Sequence, residues 1–131
     1  MVLNKNDVLF ARDEKGELIE EVVKLVIDET DEEQLTYKDE EISIIPLMRG
    51  EIRKLFARAK KAKADEDFDL DGDIISQYCV DPKIDKTEVK AIKPIMATMI
   101  VNTIFHHSGL DFNKPRKQAI IQAEDDFAKN S

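Results

Sequence analysis

At 131 residues the chain suits a single domain that buries roughly two-thirds of its unfolded surface without covalent staples. Its 42% apolar residues can fill a core, while 37% charged residues and a net charge of −8 exclude a general nucleic-acid binder, whose phosphate contacts need a basic excess. The same charge argues against an anionic membrane surface, and the single cysteine, Cys79, excludes an intramolecular disulfide and fits a reducing compartment.

The first residues, MVLNKNDVLFARDEKG, lack an apolar run followed by a small-residue cleavage site. The longest apolar run, residues 94–105, is too short and too interrupted by Thr and Asn to span a bilayer, so a cytoplasmic protein is expected. Val8, Leu9 and Phe10 are expected to make a short strand, and residues 13–16 a turn in which Gly16 supplies a positive φ. Residues 18–28 are β-branched and alternate Val23/Leu25/Ile27 with Val22/Lys24/Val26, which predicts a strand. The acidic run 28–33 reads as a solvated loop. Residues 34–38 and 41–45 then read as a hairpin, with Leu35 and Tyr37 on one face and Ile42 and Ile44 on another. Pro46 has no N–H for a ladder and ends the last strand.

From Met48 the period changes. Met48, Ile52, Leu55, Phe56 and Ala59 form a helical stripe, with Arg49, Glu51, Arg53, Lys54 and Arg58 outside it. The tail ARAKKAKA has only alanine for an apolar face and is expected to fray. Asp73 is expected to cap a second helix over residues 74–80, which Pro82 keeps from extending. Asp85 and Glu88 have the spacing of a capping box, opening a helix that carries Val89 and Ile92. Pro94 should break that helix, because an interior proline costs about 3 kcal/mol. The following helix, residues 94–107, is apolar around most of its circumference, so it is either the centre of a core or covered by a partner. Gly109 suits its C-terminal cap, with Leu110 placed for the accompanying apolar contact. Asn113 should cap a last helix over residues 114–128, with Ile120, Ile121, Ala123 and Phe127 on its apolar face. The expected fold is α+β in one domain, 1–131: a small N-terminal antiparallel meander or hairpin within 1–46, followed by a body of four or five α-helices in 47–131.

The sharpest motif is Asp67, Asp69, Asp71, Gly72, Asp73 and Ile74, which matches the first eight positions of an EF-hand calcium loop. The twelfth position should be a bidentate Glu and is Tyr78; the ninth is Ile75. These four aspartates are therefore weak metal candidates only, and an acidic linker ending in a helix cap is the preferred alternative to a calcium-binding module. His106 and His107 would point about 100° apart on a helix and cannot chelate one metal together. They suit the last turn, where they complement the helix dipole. Cys79 has no recognisable base or oxyanion hole around it, and a core cysteine is the simpler assignment. The basic cluster over residues 53–63 lies on the polar face of its helix, between acidic neighbours, and reads as solvated. Ile95, Met96, Met99 and Ile100 are candidates for an adaptable partner-binding surface, weighed against ordinary core packing at the same spacing. No catalytic constellation stands out, and neither an enzyme nor a cofactor is expected.

The run Ile42-Ser43-Ile44-Ile45-Pro46-Leu47-Met48-Arg49-Gly50-Glu51-Ile52 is a strand leading into an L-x-R-G-E helix start. A short helix from Ile74 ends in Cys79-Val80-Asp81-Pro82, and the apolar helix closes in Ser108-Gly109-Leu110. This order of parts, over roughly residues 40–110, resembles the small tail assembly chaperones of long-tailed, siphovirus- and myovirus-type bacteriophages. The resemblance implies a non-enzymatic protein of the host cytoplasm that forms homo-oligomers. It implies binding to the long helical tape measure protein, kept soluble while tail tube subunits polymerise around it, with the tail tube protein as a second candidate partner. It carries no specific binding residue onto this chain, and the net charge of −8 leaves neither a nucleic-acid nor a membrane partner expected. It also implies a longer frameshifted product, and Ala128-Lys129-Asn130 is encodable by the slippery string GCA-AAA-AAC. An acidic protein-interaction adaptor of another kind is the remaining expectation.

Overall fold

Alternation places the sheet. β1 (Glu21–Lys24) pairs antiparallel with β2 (Glu41–Ile44), with Val23 opposite Ile42 and Glu21 opposite Ile44 in the computed structural model, which describes residues 2–62 and 69–110. Side chains of a strand point alternately to its two faces, so Ile42 and Ile44 are buried and Val23 packs against the same core. Val22 and Lys24 stand on the other face, opposite Ser43 and Glu41. A hydrogen bond from the Leu25 amide to the Glu40 carbonyl, 2.8 Å, carries the ladder one residue further.

The partner of β2 is not the one expected. Residues 34–38 form no strand; residues 32–35 are instead a single helical turn, α2 (Glu32–Leu35). The Asp31 carboxylate accepts from the Glu33 amide at 3.0 Å, and the Thr36 hydroxyl donates to the Glu33 carbonyl at 2.7 Å. Such local bonds offer the backbone an alternative to a ladder, and two apolar residues are too few to outweigh them. Val8, Leu9 and Phe10 form no strand either, because Lys5–Val8 closes a helical turn, α1, with the Leu9 amide on the Lys5 carbonyl. The turn after it is as expected: Gly16 has φ 81° and its amide bonds the Asp13 carbonyl at 3.0 Å.

The third strand comes from the helical half of the chain. α3 (Arg49–Lys61) buries Ile52, Leu55, Phe56 and Ala59, the predicted stripe, while Met48 stands just ahead of it. The next helix, α4 (Leu70–Tyr78), begins earlier than expected and is capped by Asp69, not Asp73: the Asp69 carboxylate accepts from the Gly72 amide at 2.9 Å. It also ends earlier, because Cys79–Asp81 becomes β3 and pairs antiparallel with β2, giving the order β1-β2-β3. The Ile45 amide bonds the Tyr78 carbonyl at 2.8 Å, so the open edge of β2 captures β-branched Val80 together with its two neighbours.

The capping box forms. The Glu88 amide donates to the Asp85 carboxylate at 2.8 Å and the Asp85 amide to Glu88 Oε1 at 3.2 Å, but only a 3-10 turn, Glu88–Ala91, follows in place of the expected helix. Pro94 then occupies the first turn of α5 (Pro94–His107), as its break predicts. Met99, Val101, Thr103, Ile104 and Phe105 of α5 are fully buried and form the middle of the core, packed on α4. At its end the Gly109 amide bonds the His106 carbonyl and the Leu110 amide the Phe105 carbonyl, with Gly109 at φ 82° and Leu110 against the core. That is the Schellman closure, with its apolar contact. The fold is α+β: a three-stranded antiparallel sheet packed with a helical body. The expected helix over residues 114–128 and Asp67 lie outside the described residues. Among the described residues no helix is long and apolar enough to cross a membrane.

Candidate functional site

The four apolar candidates on α5 do not make an open surface. Met99 and Ile100 are buried, and Ile95 and Met96 are half-buried against the same core. A helix that is apolar all round must be covered somewhere, and here α4 and α2 pack on it within the chain, with the Val26 amide just past β1 bonded to Thr103.

The acidic segment is held as a helix start. Asp69 spends its carboxylate on the Gly72 amide, and Asp71 and Asp73 lie in the first turn of α4. Asp73 forms an ion pair with Arg58 of α3 at 2.5 Å. A calcium loop stays non-helical until its ligands have converged, whereas here the helix starts at the loop's fourth position. Among the described residues no three His, Cys, Asp or Glu side chains are grouped to hold a metal ion. Gly72 serves a packing purpose, because a methyl added there would overlap the Asp69 carboxylate and approach Val89 Cγ2 at 3.1 Å.

The remaining reactive side chains are held quiet. His106 and His107 stack edge to face with ring centroids 5.1 Å apart. Burial, and then the neighbouring His106, lower the pKa of His107, partly offset by Glu21. Cys79 is buried, with Sγ 3.2 Å from the Pro82 carbonyl. Burial raises its thiol pKa and Asp81 raises it further, the opposite of what a nucleophilic thiolate requires. Burial and the adjacent Glu51, whose carboxylate accepts from the Tyr78 hydroxyl at 3.2 Å, push the phenol well above its ordinary range. Tyr78 thus ties the end of α4 to the start of α3 as a hydrogen-bond donor.

What the sequence pattern missed is an apolar surface at the N-terminal side of the β2–α3 joint. Because α1 is a single turn rather than a strand of the sheet, its neighbours do not sink into the core. Val8 is 68% exposed and Leu9 65%, and Val2, Leu3 and Ile19 are exposed as well. Val8, Leu9 and Phe10 line a groove of about 520 Å³ together with Leu18, Met48 and Gly50, and Arg12 and Arg49 supply its charged lining. Arg12 is fixed there by bonds to the Gly16 carbonyl and to Met48 Sδ, 3.6 Å away. Such a groove can take the apolar face of another chain, and the guanidinium of Arg12 suits an acidic residue flanking that face. The signal available in the sequence was Val8-Leu9-Phe10 itself, three consecutive large apolar residues with no alternating polar partner. Residues that cannot all face one side of a single turn leave part of their surface in water. No protein-family model matches this chain, and no curated protein or solved structure matches it either.

Proposed function

We propose that this chain is a tail assembly chaperone of a long-tailed bacteriophage that holds the tape measure protein in solution through the groove beside the β2–α3 joint. The observation that carries the proposal is the exposed apolar cluster of Val8, Leu9 and Phe10, which lines one groove with Met48 and Gly50. Met48 and Gly50 belong to the Ile42-to-Ile52 run on which the family resemblance rests. A holdase needs an accessible apolar surface on an otherwise well-hydrated body, and a net charge of −8 supplies the solubility. An EF-hand module is disfavoured by the helical start at Leu70 and the engagement of Asp69 as a cap.

The test is to find a long helical protein encoded downstream of this chain's gene, whose absence would overturn the proposal, and to co-express the two. The expected outcome is a soluble complex that co-purifies, and a loss of at least tenfold in recovered complex for Leu9→Asp with the circular dichroism of the free chain unchanged. A tape measure protein equally insoluble with and without this chain, or recovered equally well with Leu9→Asp, would overturn the proposal.

A further inference from the structure

We propose that β1 is a self-recognition edge. Two copies of the chain pair antiparallel through it about a twofold axis at Val22, joining their three-stranded sheets into one. The inference rests on strand geometry and holds whatever the identity of the groove's partner.

Hydrogen-bond parity comes first. The Leu25 amide bonds Glu40, and the register steps by two from there, so Val23 and Glu21 are the β1 residues whose backbone groups face β2. The N–H and C=O groups of Val22 and Lys24 therefore point away from the sheet, and β1 is an outer strand in the order β1-β2-β3. The other outer strand, β3, has only three residues and runs directly into Pro82, which has no N–H to offer. Of the two edges, only β1 is built to accept a strand.

The side chains then select the occupant. Val22 is 65% exposed and stands among Lys24, Glu41 and Ser43 on the polar face of the sheet, where nothing in the monomer requires a valine. A twofold axis normal to an antiparallel pair must pass through one residue and its own copy, because facing residues share a sheet face. With the axis at Val22, the two valines face each other and Glu20 faces Lys24 of the second copy. With the axis at Glu20 or Lys24, like charges face each other. With the axis at Glu21 or Val23, the charges of Glu20 and Lys24 face apolar side chains instead. Opposite charges across an antiparallel pair stabilise it and like charges destabilise it, so the register at Val22 is the complementary one. Lys24 is bonded to Asp39 at 3.2 Å, but both side chains are about two-thirds exposed, and an exposed ammonium can hold a second carboxylate.

Light scattering on a sizing column across a concentration series tests this on the full chain. The mass should rise from 15.0 kDa to twice that value as concentration increases, and Val22→Lys should remain at 15.0 kDa throughout with unchanged circular dichroism. Because Cys79 is buried, Val22→Cys presents a single accessible thiol and should cross-link to a dimer at the axis under mild oxidation. Glu41→Cys, one strand in from the edge on the same face, should not. A wild-type mass of 15.0 kDa at every concentration, association unchanged by Val22→Lys, or equal cross-linking of the two cysteine variants would overturn the inference. None of these measurements uses a tape measure protein, so this proposal and the proposed function fail separately.

Discussion

Thr103 joins elements that the sequence gives no reason to connect. Its hydroxyl accepts from the Val26 amide at 2.8 Å and donates to the Met99 carbonyl at 2.6 Å. Ser108 repeats the device, accepting from the buried Leu47 amide at 2.8 Å and donating to the Ile104 carbonyl. Both amides sit just past a strand end, where no ladder reaches them. Thr103→Val keeps the shape and removes the acceptor, so it should cost about 1–3 kcal/mol in urea unfolding, with Thr103→Ser recovering most of the loss. His107 adds a pH dependence. Its folded-state pKa lies below the ordinary value of 6.5, so the unfolded chain takes up the proton more readily. Its contribution to stability is therefore full above about pH 6.5 and declines as pH falls through that value. His107→Gln should flatten the wild-type fall in melting temperature between neutral pH and pH 5. Asp28 and Asp85 do not confuse this window. Their carboxyls are lowered from 3.8 by the Thr30 hydroxyl and by the Glu88 amide respectively, and they titrate in stronger acid.

Among the elements, the long helices were legible and the short ones were not. α3 and α5 run for 13 and 14 residues, enough for a 3.6-residue period to declare itself, and the ends of α5 carry Pro94 and Gly109 as punctuation. α2 is one turn, and the spacing of Leu35 and Tyr37 alone does not decide against a strand; the Asp31 cap did. α4 was found with the wrong cap, since Asp69 and Asp73 are equally good caps by type. The choice fell to Asp69 because Gly72 leaves room for its carboxylate beside Val89. The predicted stripe of α3 makes a direct test. Ile52 is 4% exposed, so Ile52→Asp buries an uncompensated charge and should cost more than about 4 kcal/mol, abolishing a cooperative melt. Arg53→Asp, one residue along on the exposed face, should stay within about 0.5 kcal/mol of wild type. An Ile52→Asp chain that melts like the wild type would mean that α3 does not dock through this stripe.

For the whole molecule, the sequence by itself determined the α+β class, the change of period at Pro46 and Gly50, the capping box and the closure at Gly109, and it left α5 as either core or partner-covered. All of these are recorded in residues a few positions apart, where periodicity and capping act. Only the tertiary structure decided that β1, not residues 34–38, is the partner of β2, and that β3 is drawn out of the helical half to complete the sheet. It also turned the Met-rich face of α5 into core and left Val8, Leu9, Phe10 and Val22 among the exposed apolar residues. The physical reason is range. The bond from Val26 to Thr103 spans 77 residues and that from Leu47 to Ser108 spans 61, and strand pairing satisfies backbone groups whose partners no local pattern names. Which apolar side chains stay in water is settled by those distant pairings, and the candidate binding surfaces follow from them.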